Sequence, residues 1–166
     1  MEHSIKTLSQ QLYDILYGSG KTLATAESCT GGAIAAAIVA TSGSSDYFKG
    51  GVVSYCNEIK ERLLGVNQET IERCNVVSSE VATEMCEGAM KTLDVDFAIS
   101  ITGAAGPTGG TPEIPVGTIW IGYGSRGDVK TYKLTDDFGR EKNLKNAVKK
   151  ALELIIVYLN TKKILI

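Results

Sequence analysis

The sequence has almost no histidine: among its 166 residues the only one is His3, two positions from the amino terminus. Chain ends are commonly mobile, so no imidazole is expected at a fixed place. A Ser-His-Asp triad, a Cys-His dyad and a His-ligated zinc site are therefore not expected. A hydrolase built on this sequence must use another base. Cysteine is also sparse and scattered, with Cys29, Cys56, Cys74 and Cys86 lying 27, 18 and 12 positions apart. There is no CxxC pair, and the start MEHSIKTLSQ lacks the basic and apolar regions of a secretory signal. Buried reduced thiols are expected rather than a disulfide framework. Neither charge is in excess: 17 lysines and arginines against 19 acids give a net charge of −2, which argues against a nucleic-acid clamp. No apolar run approaches the ~18 residues needed to span a bilayer. These absences predict a cytoplasmic protein whose partner is a small molecule, with no nucleic acid and no membrane.

What is present is the ordinary mix of a globular domain, 43% hydrophobic and 22% charged. At this length roughly 70% of the unfolded surface can be buried, so one domain over 1–166 is expected to fold by packing alone. Helical and extended periodicities alternate with no repeat or long linker. Ile5, Leu8, Leu12, Ile15 and Leu16 mark a helical face that stops at Gly18 and Gly20, and 23–27 reads as a short strand. A second helix over 30–41, GGAIAAAIVA at its centre, is so uniformly small and apolar that it is expected to be buried between layers. Residues 51–56 are strand-like. Asn57 can cap a short helix carrying Ile59, Leu63 and Leu64, with Gly65 as its stop. A helix over 79–93, a strand over 96–102 and a hairpin of 116–123 with 129–134 follow, closed by a long helix marked by Leu144, Val148, Leu152, Ile155 and Leu159. The fold class that fits is α/β, a three-layer α/β/α sandwich with a mixed β-sheet.

Two apparent motifs are decoys. Gly18-Ser19-Gly20-Lys21-Thr22 resembles the end of a P-loop, but it leaves a helix and enters a strand, the reverse of the required context. The loop from Gly103 to Gly110 lacks the GxGxxG spacing of a dinucleotide site. Other segments carry more weight because they sit at strand ends, where open α/β sheets place ligand crevices. In Glu27-Ser28-Cys29-Thr30-Gly31-Gly32 a serine falls at a strand-to-helix turn whose free amides favour an anion or a developing oxyanion. Thr30 and Gly31 belong to that candidate binding turn. The alternative is that Ser28 or Thr30 merely caps the helix, and Cys29 as nucleophile would have no evident activator. Ser100-Ile101-Thr102-Gly103-Ala104-Ala105-Gly106 runs from a strand into a loop whose amides could form a nest for phosphate or carboxylate. Arg140, before the last helix, can offer a bidentate cation to a phosphate. Tyr55 ends a strand and Lys60 follows within a short helix, so phenol and amine could share a crevice mouth. In a chain almost without histidine, the lysine is the leading candidate base.

Three segments, TLATAESCTGG, GSSDYFKGGVVSYCNEIKERLLGV and SITGAAGPTGG, in this order and at these separations, resemble the C-terminal domain of the competence/damage-inducible CinA family, the nicotinamide-nucleotide amidases. The resemblance runs from about Leu8 to Leu159 and matches the stand-alone form rather than the fusion to a metal-dependent pyrophosphatase. It implies hydrolysis of the carboxamide of nicotinamide mononucleotide to nicotinate mononucleotide and ammonia. It also implies Ser28 as nucleophile, Tyr55 and Lys60 as its assistants, and Thr102, Gly103 and Arg140 in the nucleotide site, beside Ala104 of the same loop. No cofactor or metal is called for. Neutral Lys60 would take the serine proton directly or through Tyr55. A rival reading is a non-enzymatic nucleotide-sensing or oligomerising scaffold domain, and another is an amidase of a different, carboxylated substrate. A homo-oligomer is compatible with the apolar tail Ile164-Leu165-Ile166, which could dock on a second subunit or fold back.

Overall fold

The computed structural model describes residues 4–164; His3, Leu165 and Ile166 lie outside them. Helix α1 (Ile5–Leu16) turns its leucines inward and is capped by Ser4, whose hydroxyl accepts the Thr7 N–H. The glycine pair after it forms the turn into β1 (Leu23–Glu27), so the P-loop-like segment is the end of a helix. Then come α2 (Ala33–Val39), β2 (Phe48–Val53), α3 (Asn57–Leu64), α4 (Gln68–Cys74) and α5 (Ser79–Thr92). Strands β3 (Phe97–Gly103), β4 (Ile119–Ser125) and β5 (Asp128–Leu134) precede the long helix α6 (Arg140–Thr161).

The sheet order is β2-β1-β3-β4-β5. β1 runs parallel to both β2 and β3, while β4 and β5 pair antiparallel across the expected hairpin, with Ser125 opposite Asp128. β1 is buried on both faces. Leu23 joins the core under α1, α2 and α6, whereas Ala24 and Ala26 join the core under α3 and α5. The result is the three-layer sandwich with a mixed sheet that alternating elements predict.

Four local expectations are corrected. α2 is shorter than 30–41 and is not enclosed: only Ile34 and Ile38 are buried, and Val39 is 55% exposed. It lies over the β1–β2 edge, where two isoleucines fill the contact and the alanines are too small to mark a direction. β2 ends at Val53 rather than 56, because the chain turns out of the sheet to bring Ser54 and Tyr55 over the strand ends. Asn57 is the first residue of α3 and not its cap. The buried face of α3 is Lys60 and Leu64, with Leu63 exposed, so the helix is turned by one residue from the face its aliphatic residues suggest. Packing on α5 sets that rotation. A Cβ on Gly88 of α5 would overlap the Leu64 carbonyl oxygen, so only glycine lets α3 approach this closely. Helix α4 is absent from the sequence-based expectation, having Ile71 as its single large aliphatic residue and therefore no periodicity to read.

Candidate active site

Chain order within the sheet creates a switch point: from β1 the chain proceeds to β2 on one side, and β3 lies on the other. The two crossovers pack on opposite faces, leaving a crevice beyond the carboxyl ends of β1 and β3, the usual ligand position in such sheets. Ser28 follows β1 directly, and its N–H donates to the Ile101 carbonyl at 3.0 Å, extending the β1–β3 ladder by one residue. Ser54 follows β2 and donates its N–H to the Glu27 carbonyl at 2.8 Å. Two backbone bonds therefore hold the segments on either side of the crevice before any side chain contributes.

Lys60 is 2% exposed. Its Nζ donates to Ser28 Oγ at 2.9 Å and to the Ser54 carbonyl at 2.7 Å. Among the described residues no carboxylate pairs with it, and its nearest ionisable neighbours are the thiols of Cys56 and Cys29. Burial lowers its pKa from the ordinary lysine value, because an unpaired ammonium is costly away from water. An amine held against a serine hydroxyl and biased towards the neutral form can accept that hydroxyl's proton.

The cleft beside this pair has a volume of about 310 Å³. Ser28, Tyr55, Lys60, Thr102, Gly103, Ala104 and Arg140 all line it. Tyr55 is 64% exposed, and its hydroxyl accepts from Arg140 Nη2 at 3.3 Å, so it stands at the mouth with the arginine, while of the two assistants it is Lys60 that hydrogen-bonds the Ser28 hydroxyl. Arg140, first residue of α6, donates through Nη1 to the Gly106 carbonyl at 2.8 Å. It joins the glycine-rich loop to the mouth. The Thr102 hydroxyl is committed to the Val76 carbonyl at 2.9 Å, which ties the loop before α5 to the end of β3.

Thr30 and Gly31 are not among the cleft-lining residues, and the helix amides expected to receive an anion are occupied. The fully buried Glu27 carboxylate accepts from Gly32 N (3.1 Å), Ile34 N (3.0 Å), Ala35 N (2.8 Å) and the Thr30 hydroxyl (2.6 Å). Glu27, not Ser28 or Thr30, caps α2. Ser28 is thereby free of a structural duty at the helix. Glu27→Ala should cost on the order of 3 kcal/mol, since several buried donors lose their acceptor together. A melting temperature lower by roughly 6–12 °C is expected for a chain of this size, read by thermal denaturation.

A family model of the CinA C-terminal domain matches residues 5–159. The chain belongs to the CinA family. A CinA-like protein of Endomicrobium trichonymphae is 45% identical over 149 residues, covering 90% of this chain and 35% of that protein. The crystal structure of competence/damage inducible protein CihA from Agrobacterium tumefaciens superposes with a TM-score of 0.90 at 36% identity, covering 96% of this chain and 99% of the other. Competence damage-inducible protein A from Klebsiella pneumoniae gives 0.91 at 33% identity, with 95% and 98% covered. The CinA domain here thus spans about a third of the length of the curated relatives it matches and nearly all of these solved chains.

Several residues of this CinA domain reach the cleft without a signal in the sequence. Val76 and Val77 do so from the loop between α4 and α5, which an unrecognised helix hid. Asn57 and Thr108 line it as well. Cys29 is 9% exposed and burial pushes its thiol up to about 12, so it is protonated at neutral pH and a poor rival to Ser28 as nucleophile. Among the described residues no cluster of potential metal ligands occurs and no helix is long and apolar enough to cross a membrane.

Proposed function

We propose that this CinA domain is a nicotinamide-nucleotide amidase that hydrolyses the carboxamide of nicotinamide mononucleotide, giving nicotinate mononucleotide and ammonia. The observation that carries the reading is the 2.9 Å contact between Ser28 Oγ and a buried Lys60 Nζ that has no carboxylate partner among the described residues. Ser28 Oγ attacks the carboxamide carbon while neutral Lys60 takes its proton. Lys60 then returns that proton to the departing nitrogen, and ammonia leaves an acyl ester on Ser28. Water, deprotonated by the same amine, attacks the ester carbon, and the protonated amine gives that proton to the departing Ser28 Oγ, which restores the serine and releases nicotinate mononucleotide. The substrate favours this course because its pyridinium charge makes the carboxamide carbon more electrophilic and disfavours a second cation at Lys60.

The cleft also offers groups that suit the phosphate. Arg140 supplies a cation anchored to the loop carbonyl of Gly106, and the loop beside it contains Gly103 and Ala104. A volume of about 310 Å³ lies at the lower end of small-molecule sites, roughly 300–1,000 Å³. The deciding experiment measures ammonia release from nicotinamide mononucleotide with no added metal. Steady release with nicotinate mononucleotide as co-product supports the amidase. Tight nucleotide binding without ammonia would replace it by the sensing or scaffold reading.

A further inference from the structure

Asn143 lies in the first turn of α6, three residues after Arg140, and is 3% exposed. All the polar atoms of its amide are engaged. Oδ1 accepts the Phe138 N–H at 2.8 Å, while Nδ2 donates to Asp137 Oδ1 at 2.8 Å and to the Ala105 carbonyl at 3.1 Å. The partners determine which end of the amide is which, since an N–H needs the oxygen and a carbonyl and a carboxylate need the nitrogen. Asp137 Oδ1 also accepts the Gly139 N–H at 2.9 Å. A single buried amide therefore joins three things: the segment entering α6, the helix itself and the glycine-rich loop.

The neighbouring carbonyl of that loop, Gly106, is held by Arg140. The two bonds differ in kind. Arg140 is exposed and lines the cleft, so water and substrate compete for its guanidinium. Asn143 is buried and outside the lining of this cleft, edging a separate cavity with Phe138 and Asn146, so its bond to Ala105 does not face the substrate, and losing it would leave a buried carbonyl unpaired. When a phosphate draws on Arg140, the bond from Asn143 is what keeps the loop in register with the start of α6.

We infer that Asn143 is a positioning residue for the anion-binding end of the cleft, acting through the Ala105 carbonyl on the loop from Ala104 to Gly109 and not on the chemistry at Ser28. The inference rests on the amidase reading for its substrate, but its geometry does not. Two variants test it. Asn143→Asp keeps the acceptor for Phe138 but loses the donor to Ala105 and sets a second carboxyl beside Asp137. Combining it with Asp137→Asn restores a donor and an acceptor between positions 137 and 143, still with no donor for Ala105.

Both variants should fold, by circular dichroism, and raise KM for nicotinamide mononucleotide about tenfold while kcat stays within about threefold, the pattern of lost ground-state binding. In the wild type, inorganic phosphate should slow hydrogen exchange of the 104–109 amides, and in both variants that protection should be lost. A double variant with wild-type KM would overturn the inference, because Asn143 would then act only through the helix start. So would a fall in kcat with KM unchanged, or phosphate protection equal in all three proteins, or none in the wild type. Failure of the amidase reading looks different: no ammonia from the wild type, with the exchange measurement still deciding the role of Asn143.

Discussion

Ser28→Ala should abolish amide hydrolysis and leave the fold intact. Removal of a covalent nucleophile costs on the order of 10⁴-fold or more in turnover. The folded state should be nearly indifferent, because the Ser28 side chain caps nothing: α2 rests on the Glu27 carboxylate, and Lys60 keeps the Ser54 carbonyl when the serine oxygen is lost. One forfeited hydrogen bond is worth about 1 kcal/mol, which moves the melting temperature by roughly 2–4 °C at this size. Ammonia release and a thermal melt on the same preparation check both halves. Near-normal turnover would end the covalent mechanism. A collapse in stability would show that the serine has a structural duty the hydrogen bonds do not reveal.

Lys60 should show itself in the pH dependence of both rate and stability. As the base it must be neutral, so kcat/KM should climb with pH through its lowered pKa and then level off. Lys60→Arg should be nearly inactive at every pH, since a guanidinium does not give up its proton in this range. An arginine variant within about tenfold of the wild type, a barrier change of only ~1.4 kcal/mol, would move the proton-transfer role to Tyr55. The stability effect has a definite sign. Burial holds the folded pKa below the unfolded value of 10.5, so between those two values the unfolded chain binds the extra proton and stability rises with pH. Below the folded pKa the full cost of a buried ammonium is present, and above 10.5 it is gone. Lys60→Met removes the titrating group, so it should melt higher than the wild type at neutral pH. That advantage should shrink as pH approaches 10.5. A constant difference across pH would mean that Lys60 is not desolvated in solution.

Much of the site was legible because its residues stand at punctuation points. Ser28 sits where a strand pattern meets a glycine pair, Thr102 and Gly103 where a second strand enters a loop, and Arg140 where a helix begins. The lack of a placed histidine then singled out Lys60. Glu27 was illegible for the opposite reason: an acid at the end of an apolar strand reads as the point where the chain meets water. Its burial depends on donors three to eight residues later in the chain turning back on it. Asn143 is likewise an ordinary polar residue on a helix until the Ala105 carbonyl, 38 positions earlier, is placed beside it.

Local pattern thus determined the order of the strands and of every helix except α4, the antiparallel hairpin and the segments that carry chemistry, since turn residues and hydrophobic periods act over a few positions. Only the tertiary structure decided which face of α3 turns inward, and hence that Lys60 rather than Ile59 or Leu63 is buried against Ser28. The sequence offers two aliphatic residues on the other side of that helix. The choice is made by close packing at Gly88, a contact between residues 24 positions apart that no period within α3 can encode.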